Sequence, residues 1–253
     1  MTQRRSDILE MPNRVLAEDR LIIALDMPDA ESTLALVDRL EGTCRWLKVG
    51  MELYYAAGNQ LIETLRRRGF QVFLDLKLHD IPNTVAGAIR SVSHAGASLL
   101  TVHAAGGQAM LEAAANAVIV PGAPKLLAVT VLTSMDATQL SGVGVTDVPA
   151  AQVQRLAQLA RQCGIDGMVC SPEEVGALRA HLGAEALLVT PGIRGASDEI
   201  GDQKRIASAA DAIARGASML VVGRPITRAA NPAQIASAML AEIARASILV
   251  TSD

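Results

Sequence analysis

Between Phe73 and Asp80 the chain reads FLDLKLHD, two carboxylates, an ammonium and an imidazole set among leucines. Leu74, Leu76 and Leu78 recur with period two, the pattern of a strand with one buried face. The opposite face carries Asp75, Lys77 and His79, and Asp80 follows directly. Charges are costly to bury unless paired. An ammonium held between carboxylates, however, can stabilise developing negative charge and deliver a proton. Two earlier runs repeat the arrangement. In LIIALD (21–26), Ile22, Ala24 and Asp26 oppose Leu21, Ile23 and Leu25; in RWLKVG (45–50), Trp46 and Lys48 oppose Leu47 and Val49. If the aliphatic faces pack on helices, Asp26, Lys48, Asp75 and Lys77 share one interior near the C-terminal strand ends. Any one of them alone would suit a structural ion pair. Four with alternating signs form a near-neutral group that stabilises a fold poorly, so function explains them better.

A second constellation lies far along the chain, in TPGIRG (190–195), GDQKR (201–205) and VVGRPIT (221–227). Glycines with free N–H groups, a helix start and an Arg make a cradle for phosphate. The charged, glycine-containing stretch IRGASDEIGDQK has the composition of a lid over that cradle.

These groups need a frame, and the hydrophobic pattern supplies one. Strands are expected at 21–26, 45–50, 71–77, 98–103, 125–133, 167–171, 186–190 and 219–223, alternating with Ala-rich amphipathic segments. Ser171 with Pro172 should open a helix that Gly183 stops, and Asn231 with Pro232 should open the last one. Eight strand–helix units without a long linker predict a single-domain α/β fold, a (β/α)8 TIM barrel over 1–253, with 1–20 as a lead-in. A doubly wound open sheet shares the alternation, but the count of eight favours closure. Barrels carry active sites at the C-terminal strand ends and often bind phosphate after strands 7 and 8, where both constellations fall.

Composition narrows the partners. The 253 residues are 50% hydrophobic with a net charge of -3, which supports a large core and argues against nucleic acid or an anionic membrane. One Trp, two Tyr and two Phe offer no stacking platform for bases. Cys44, Cys163 and Cys170 form no C-x-x-C pair and read as small buried residues of a reducing compartment. The N-terminal stretch MTQRRSDILEMPNR has no apolar signal region, and no run is long enough to span a membrane, so a cytoplasmic protein is expected. His79 adjoins the array and His103 ends the fourth strand, and neither is expected to carry protons or metal; His94 and His181 fall in helical segments.

DLKLHDIPNT resembles the D-x-K-x-x-D signature of the orotidine 5′-phosphate decarboxylase family. LIIALD, LKVGMELY, TVHAAGG, VTVLTS, TPGIR and VVGRPIT follow in the family's order along the whole chain. The resemblance implies decarboxylation of orotidine 5′-phosphate to uridine 5′-phosphate and CO2, the last step of making that nucleotide, without metal or organic cofactor. It implies a Lys-Asp-Lys-Asp array of Lys48, Asp75, Lys77 and Asp80. Asp80 and Thr84 would reach into the neighbouring subunit's site, making the active form a homodimer. Asp26 and Lys48 would hold the ribose hydroxyls, Thr133 and Ser134 would face the pyrimidine, and Arg194, Gln203, Gly223 and Arg224 would hold the phosphate.

Loss of CO2 from C6 of orotidylate leaves a vinyl carbanion that no adjacent π-system delocalises. Lys77 can stabilise and then protonate it, while Asp75 lies beside the substrate carboxylate. Magnesium-dependent sugar-phosphate decarboxylases and synthases share D-x-K-x-x-D but place an acid where this chain has Lys48, a cation that repels a metal ion. A Schiff-base aldolase is disfavoured because an ammonium between carboxylates is a poor nucleophile. A non-catalytic phosphate-binding barrel would leave the array incomplete.

Overall fold

The period-two runs become parallel strands that close on themselves: β1 (Leu21–Ala24), β2 (Trp46–Gly50), β3 (Gln71–Leu78), β4 (Leu99–His103), β5 (Lys125–Val129), β6 (Gly167–Val169), β7 (Leu187–Thr190) and β8 (Met219–Val222). Each pairs with its successor, and β1 pairs with β8 with Leu21 opposite Leu220. The structure, a computed structural model, describes residues 16–119, 121–165, 167–193 and 207–250. The expected barrel is therefore the observed fold. Of the expected lead-in, only its end is described, where Ala17–Asp19 makes one 3-10 turn before β1.

The helices alternate with the strands: α1 (Ala30–Arg39), α2 (Met51–Arg67), α3 (Pro82–Ser93), α4 (Gln108–Ala117), α5 (Ala137–Gly142), α6 (Pro149–Gln162), α7 (Val175–Leu182), α8 (Ala209–Ala214), α9 (Arg224–Thr227) and α10 (Pro232–Val250). Local chemistry explains their starts. Asp29 accepts from the Ser32 amide at α1, Asp136 and Gln139 form a capping box at α5, and Asn231 accepts from the Gln234 amide ahead of α10. The expected start at Ser171 is displaced. Pro172–Glu174 form a turn, and α7 begins at Val175. The Glu174 carboxylate accepts from both the Ser171 amide and its hydroxyl, so the Ser171 side chain is already engaged and does not cap.

Two apolar layers result. Leu21, Ile23, Leu25, Leu47, Val49, Leu74 and Leu76 face outward into the helices, as period two requires. Inside the barrel Ile22, Ala24, Trp46, Phe73, Leu99, Leu127, Val189, Met219 and Val221 pack on one another. Bulky side chains thus fill the interior as a core, leaving function to the upper rim. All three cysteines are buried and no disulfide joins them; burial pushes the Cys44 thiol up to about 12. At the lower end Arg179 donates to the carbonyls of Gly216, Ala184 and Ala186 and to the Ser218 hydroxyl, tying the starts of β7 and β8 together. No helix among the described residues is long and apolar enough to cross a membrane.

Candidate active site

At the C-terminal end of the barrel a cavity of about 800 Å³ opens over the inner core. Its wall includes Asp26, Lys48, Asp75 and Lys77, so the three strands deliver their charged residues to one space, as expected. β1 ends earlier than the sequence suggests. Its ladder finishes with the Leu25 N–H donating to the Lys48 carbonyl at 2.9 Å, and Asp26 stands just beyond.

The charges form a chain. Lys48 Nζ is 2.9 Å from Asp26 Oδ1 and 3.9 Å from Asp75 Oδ2, and Lys77 Nζ is 2.9 Å from Asp75 Oδ2. The Asp26 side chain is 63% exposed, against 12% for Lys48, 15% for Asp75 and 30% for Lys77. Asp26 therefore meets solvent at the mouth, whereas Asp75 and the two ammoniums sit where Coulomb forces are less screened. Gly50, ending β2, is part of this packing: a Cβ there would come within 3.2 Å of Lys48 Nζ and 3.6 Å of Asp26 Oδ1.

β3 does not reach Lys77 as a regular strand. Leu74 pairs with Leu100 but Leu78 pairs with Val102, so β3 uses two more residues than β4 over this stretch. Lys77 absorbs the excess at φ 48, a left-handed conformation that costs a non-glycine residue on the order of 1–3 kcal/mol. The Lys77 N–H donates 2.8 Å to Thr101 Oγ1, and the Thr101 hydroxyl donates 2.9 Å to Asp75 Oδ1. Thr101 is fully buried on β4.

The part of the wall that follows β7 and β8 contains Pro191, Gly192, Gly223 and Arg224. Gly223 caps α9, Arg224 starts it, and a Cβ on Gly223 would be 3.5 Å from Asp26 Oδ2. Thr227 and Arg228 also line this wall and were not anticipated, although Arg228 follows Arg224 by one helical turn, a spacing the sequence displays. Arg194, Gln203 and the lid stretch after Ile193 lie outside the described residues. The described chain on either side, Ile193 and Ala207, forms a parallel β-bridge.

Thr133 lines the cavity from a turn, not from a strand. The expected strand 125–133 stops at Val129, and the next residue, Thr130, donates its hydroxyl to the Val169 carbonyl at 3.2 Å. Ser134, beside Thr133, is exposed and outside the cavity lining. Asp80 and Thr84 are not brought to the array of their own chain. Asp80 Oδ1 accepts from the Ile81 amide, and Asp80 lines a separate open recess with His79, Ile81, Pro82, Gly106, Ala109 and Met110. Thr84 is exposed in the first turn of α3, and Ile81 is 67% exposed. His79 and His103 stack with ring centroids 5.2 Å apart. Burial, then the neighbouring His79 and Lys77, push the His103 imidazole below its ordinary value.

Chemically, the cavity offers a paired acid–base array from β1–β3 and, next to it after β7 and β8, glycines with cationic side chains, a layout that suits a phosphorylated substrate whose reaction develops anionic charge. Comparison with known proteins agrees. The family model described as "Orotidine 5'-phosphate decarboxylase / HUMPS family" matches residues 19–239. The orotidine 5′-phosphate decarboxylase of Halorhodospira halophila is 54% identical over 228 residues, covering 90% of this chain and 97% of that protein. That of Nitrosospira multiformis is 51% identical over 226 residues, covering 89% and 94%. The crystal structure of the orotidine 5′-phosphate decarboxylase from Lactobacillus acidophilus superposes with a TM-score of 0.79 at 39% identity, covering 89% of this chain and 99% of that one.

Proposed function

This chain belongs to the orotidine 5′-phosphate decarboxylase / HUMPS family, and from that premise we propose that it converts orotidine 5′-phosphate to uridine 5′-phosphate and CO2, as one decarboxylase domain needing neither metal nor organic cofactor. The observation that carries the reading is the alternating Lys48–Asp75–Lys77 chain on the cavity wall, with Asp75 Oδ2 2.9 Å from one ammonium and 3.9 Å from the other.

The phosphate binds at Gly223 and Arg224, with Arg194 and Gln203, and Thr133 with Ser134 faces the pyrimidine. Asp26 and Lys48 take the ribose hydroxyls. This places the C6 carboxylate toward Asp75 and Lys77. Breaking the C6–C bond releases CO2 and leaves its electron pair on C6. Lys77, held against Asp75, stabilises that pair and passes one ammonium proton to it. Asp75 repels the substrate carboxylate before the bond breaks and has nothing to repel after. Binding energy from the remote phosphate serves to orient the reacting end.

Asp80 lines the outer recess with the exposed Ile81, and Thr84 is exposed nearby in the first turn of α3, which suits both to complete the site of a second copy. The active form is then a cytoplasmic homodimer with shared sites. The magnesium-dependent alternative is opposed by Lys48, whose ammonium takes up both Asp26 and Asp75.

Ultraviolet-monitored loss of orotidylate tests the reading, with EDTA present and with Lys77→Ala. The expected result is unchanged turnover in EDTA and a kcat lowered by at least about 10²-fold in the variant. Turnover abolished by EDTA would overturn it.

A further inference from the structure

The Thr101 hydroxyl has one proton to donate, and it is fully committed to the site. It accepts the Lys77 N–H at 2.8 Å and donates to Asp75 Oδ1 at 2.9 Å. Asp75 Oδ2 in turn accepts from Lys77 Nζ at 2.9 Å. The bonds thus form a ring that leaves Lys77 at its main chain and returns at its ammonium. The ring sits where β3 slips against β4, at the one position of β3 whose backbone is left-handed. A regular ladder would satisfy the Lys77 N–H with a β4 carbonyl; here a side chain replaces it. Thr101 is 0% exposed, so water does not substitute readily for the hydroxyl.

We propose that Thr101 is a positioning residue for the reaction, its single hydroxyl fixing both the left-handed turn that aims Lys77 and the carboxylate face that Asp75 presents to the ammoniums. Tying Oδ1 to Thr101 leaves Oδ2 directed at Lys77 and Lys48. Thr101 acts only through these two residues. Its side chain is absent from the cavity wall, so loss of the hydroxyl disturbs the reacting end and leaves nucleotide binding in place. The effect of Thr101 on turnover rests on the decarboxylase reading; its hold on Lys77 and Asp75 does not.

Two variants of the full chain separate the hydroxyl from packing. Thr101→Val keeps shape and removes the hydroxyl; Thr101→Ser keeps the hydroxyl. With folding checked by circular dichroism, Thr101→Val should lower kcat for orotidylate about 10²-fold with KM and the Kd for uridine 5′-phosphate within about threefold, and Thr101→Ser should recover most of the rate. If Thr101→Val does not fold, Thr101→Ala is set against Thr101→Ser in the same way. A crystal structure of the variant should show Lys77 out of the left-handed region or Asp75 rotated. Unchanged kcat without the hydroxyl, equal damage from Ser, or an unmoved Lys77 and Asp75 in the crystal would each overturn the proposal. Wild-type protein with no orotidylate turnover would instead overturn the decarboxylase reading, with the crystal structure still deciding the role of Thr101.

Discussion

The Lys48 ammonium lies 2.9 Å from the Asp26 carboxylate, joining a side chain that is 12% exposed to one that is 63% exposed. The pair links the sheltered array to the open mouth. Asp26→Ala should therefore weaken substrate binding more than chemistry: KM rises about tenfold, as for loss of a hydrogen bond to a charged group, while kcat changes less. Steady-state kinetics over a range of orotidylate concentrations checks this. An equal fall in kcat and kcat/KM would move Asp26 to the reacting end.

Gly50→Ala pushes a methyl group to 3.2 Å from Lys48 Nζ. The atom displaced is the free end of a flexible side chain, and Gly50 has φ -85, so the backbone tolerates the change. The expected outcome is a kcat/KM lowered about tenfold with the melting temperature nearly unchanged. A stability loss with normal kinetics would contradict it.

Gly167→Ala makes the opposite prediction. Its Cβ would come to 2.4 Å from Leu127 Cδ2 and 2.8 Å from the Leu126 carbonyl oxygen, a main-chain atom that cannot swing away. β5 and β6 must separate, and urea denaturation should register a loss of about 1–3 kcal/mol, with normal kinetics in the folded fraction.

His103 gives the fold a pH dependence. Its imidazole is pushed below the ordinary 6.5 by burial and by His79 and Lys77, and its Nδ1 accepts from the Ala105 amide. With the folded value lowered, the unfolded chain binds the proton more readily. Stability is then full above 6.5 and falls as pH drops from there toward the folded value. Urea midpoints measured from about pH 7.5 down to about pH 5 should decline in the wild type and decline less in His103→Gln. Identical slopes would assign the effect elsewhere.

Shared sites have a direct test. Asp80→Ala and Lys77→Ala proteins are each expected to be inactive, and mixing them under conditions of subunit exchange should return partial activity, because a hybrid dimer holds one intact site. Exchange without activity would confine Asp80 to some other task.

Much of this was legible in the order of residues. Leu21, Ile23 and Leu25 against Ala24 and Asp26 already told inside from outside, since a side-chain period of two is a property of the extended chain. Strand number gave the barrel. The path of β3 was not legible: alternation puts Lys77 beside Asp75, which is where it points, but by way of a register slip and a left-handed residue. Such a slip depends on how many residues β4 offers opposite, a long-range relation that no local pattern encodes. Thr101 was invisible for the same reason, reading as one more β-branched strand residue. The start of α7 was missed because the Glu174 carboxylate takes both the amide and the hydroxyl of Ser171, a pairing that leaves the hydroxyl no cap to make.

The seam between β1 and β8 sets when the site comes into being. Asp26 and Gly223 stand almost two hundred positions apart in the chain, yet a Cβ on Gly223 would touch Asp26 Oδ2 at 3.5 Å. A chain made from its N-terminus carries Asp26, Lys48, Asp75 and Lys77 long before Gly223 and Arg224 leave the ribosome. Until β8 docks, these four charges have only part of their cavity wall around them. Closure of the cavity wall therefore comes late, at one of the least local contacts of the fold.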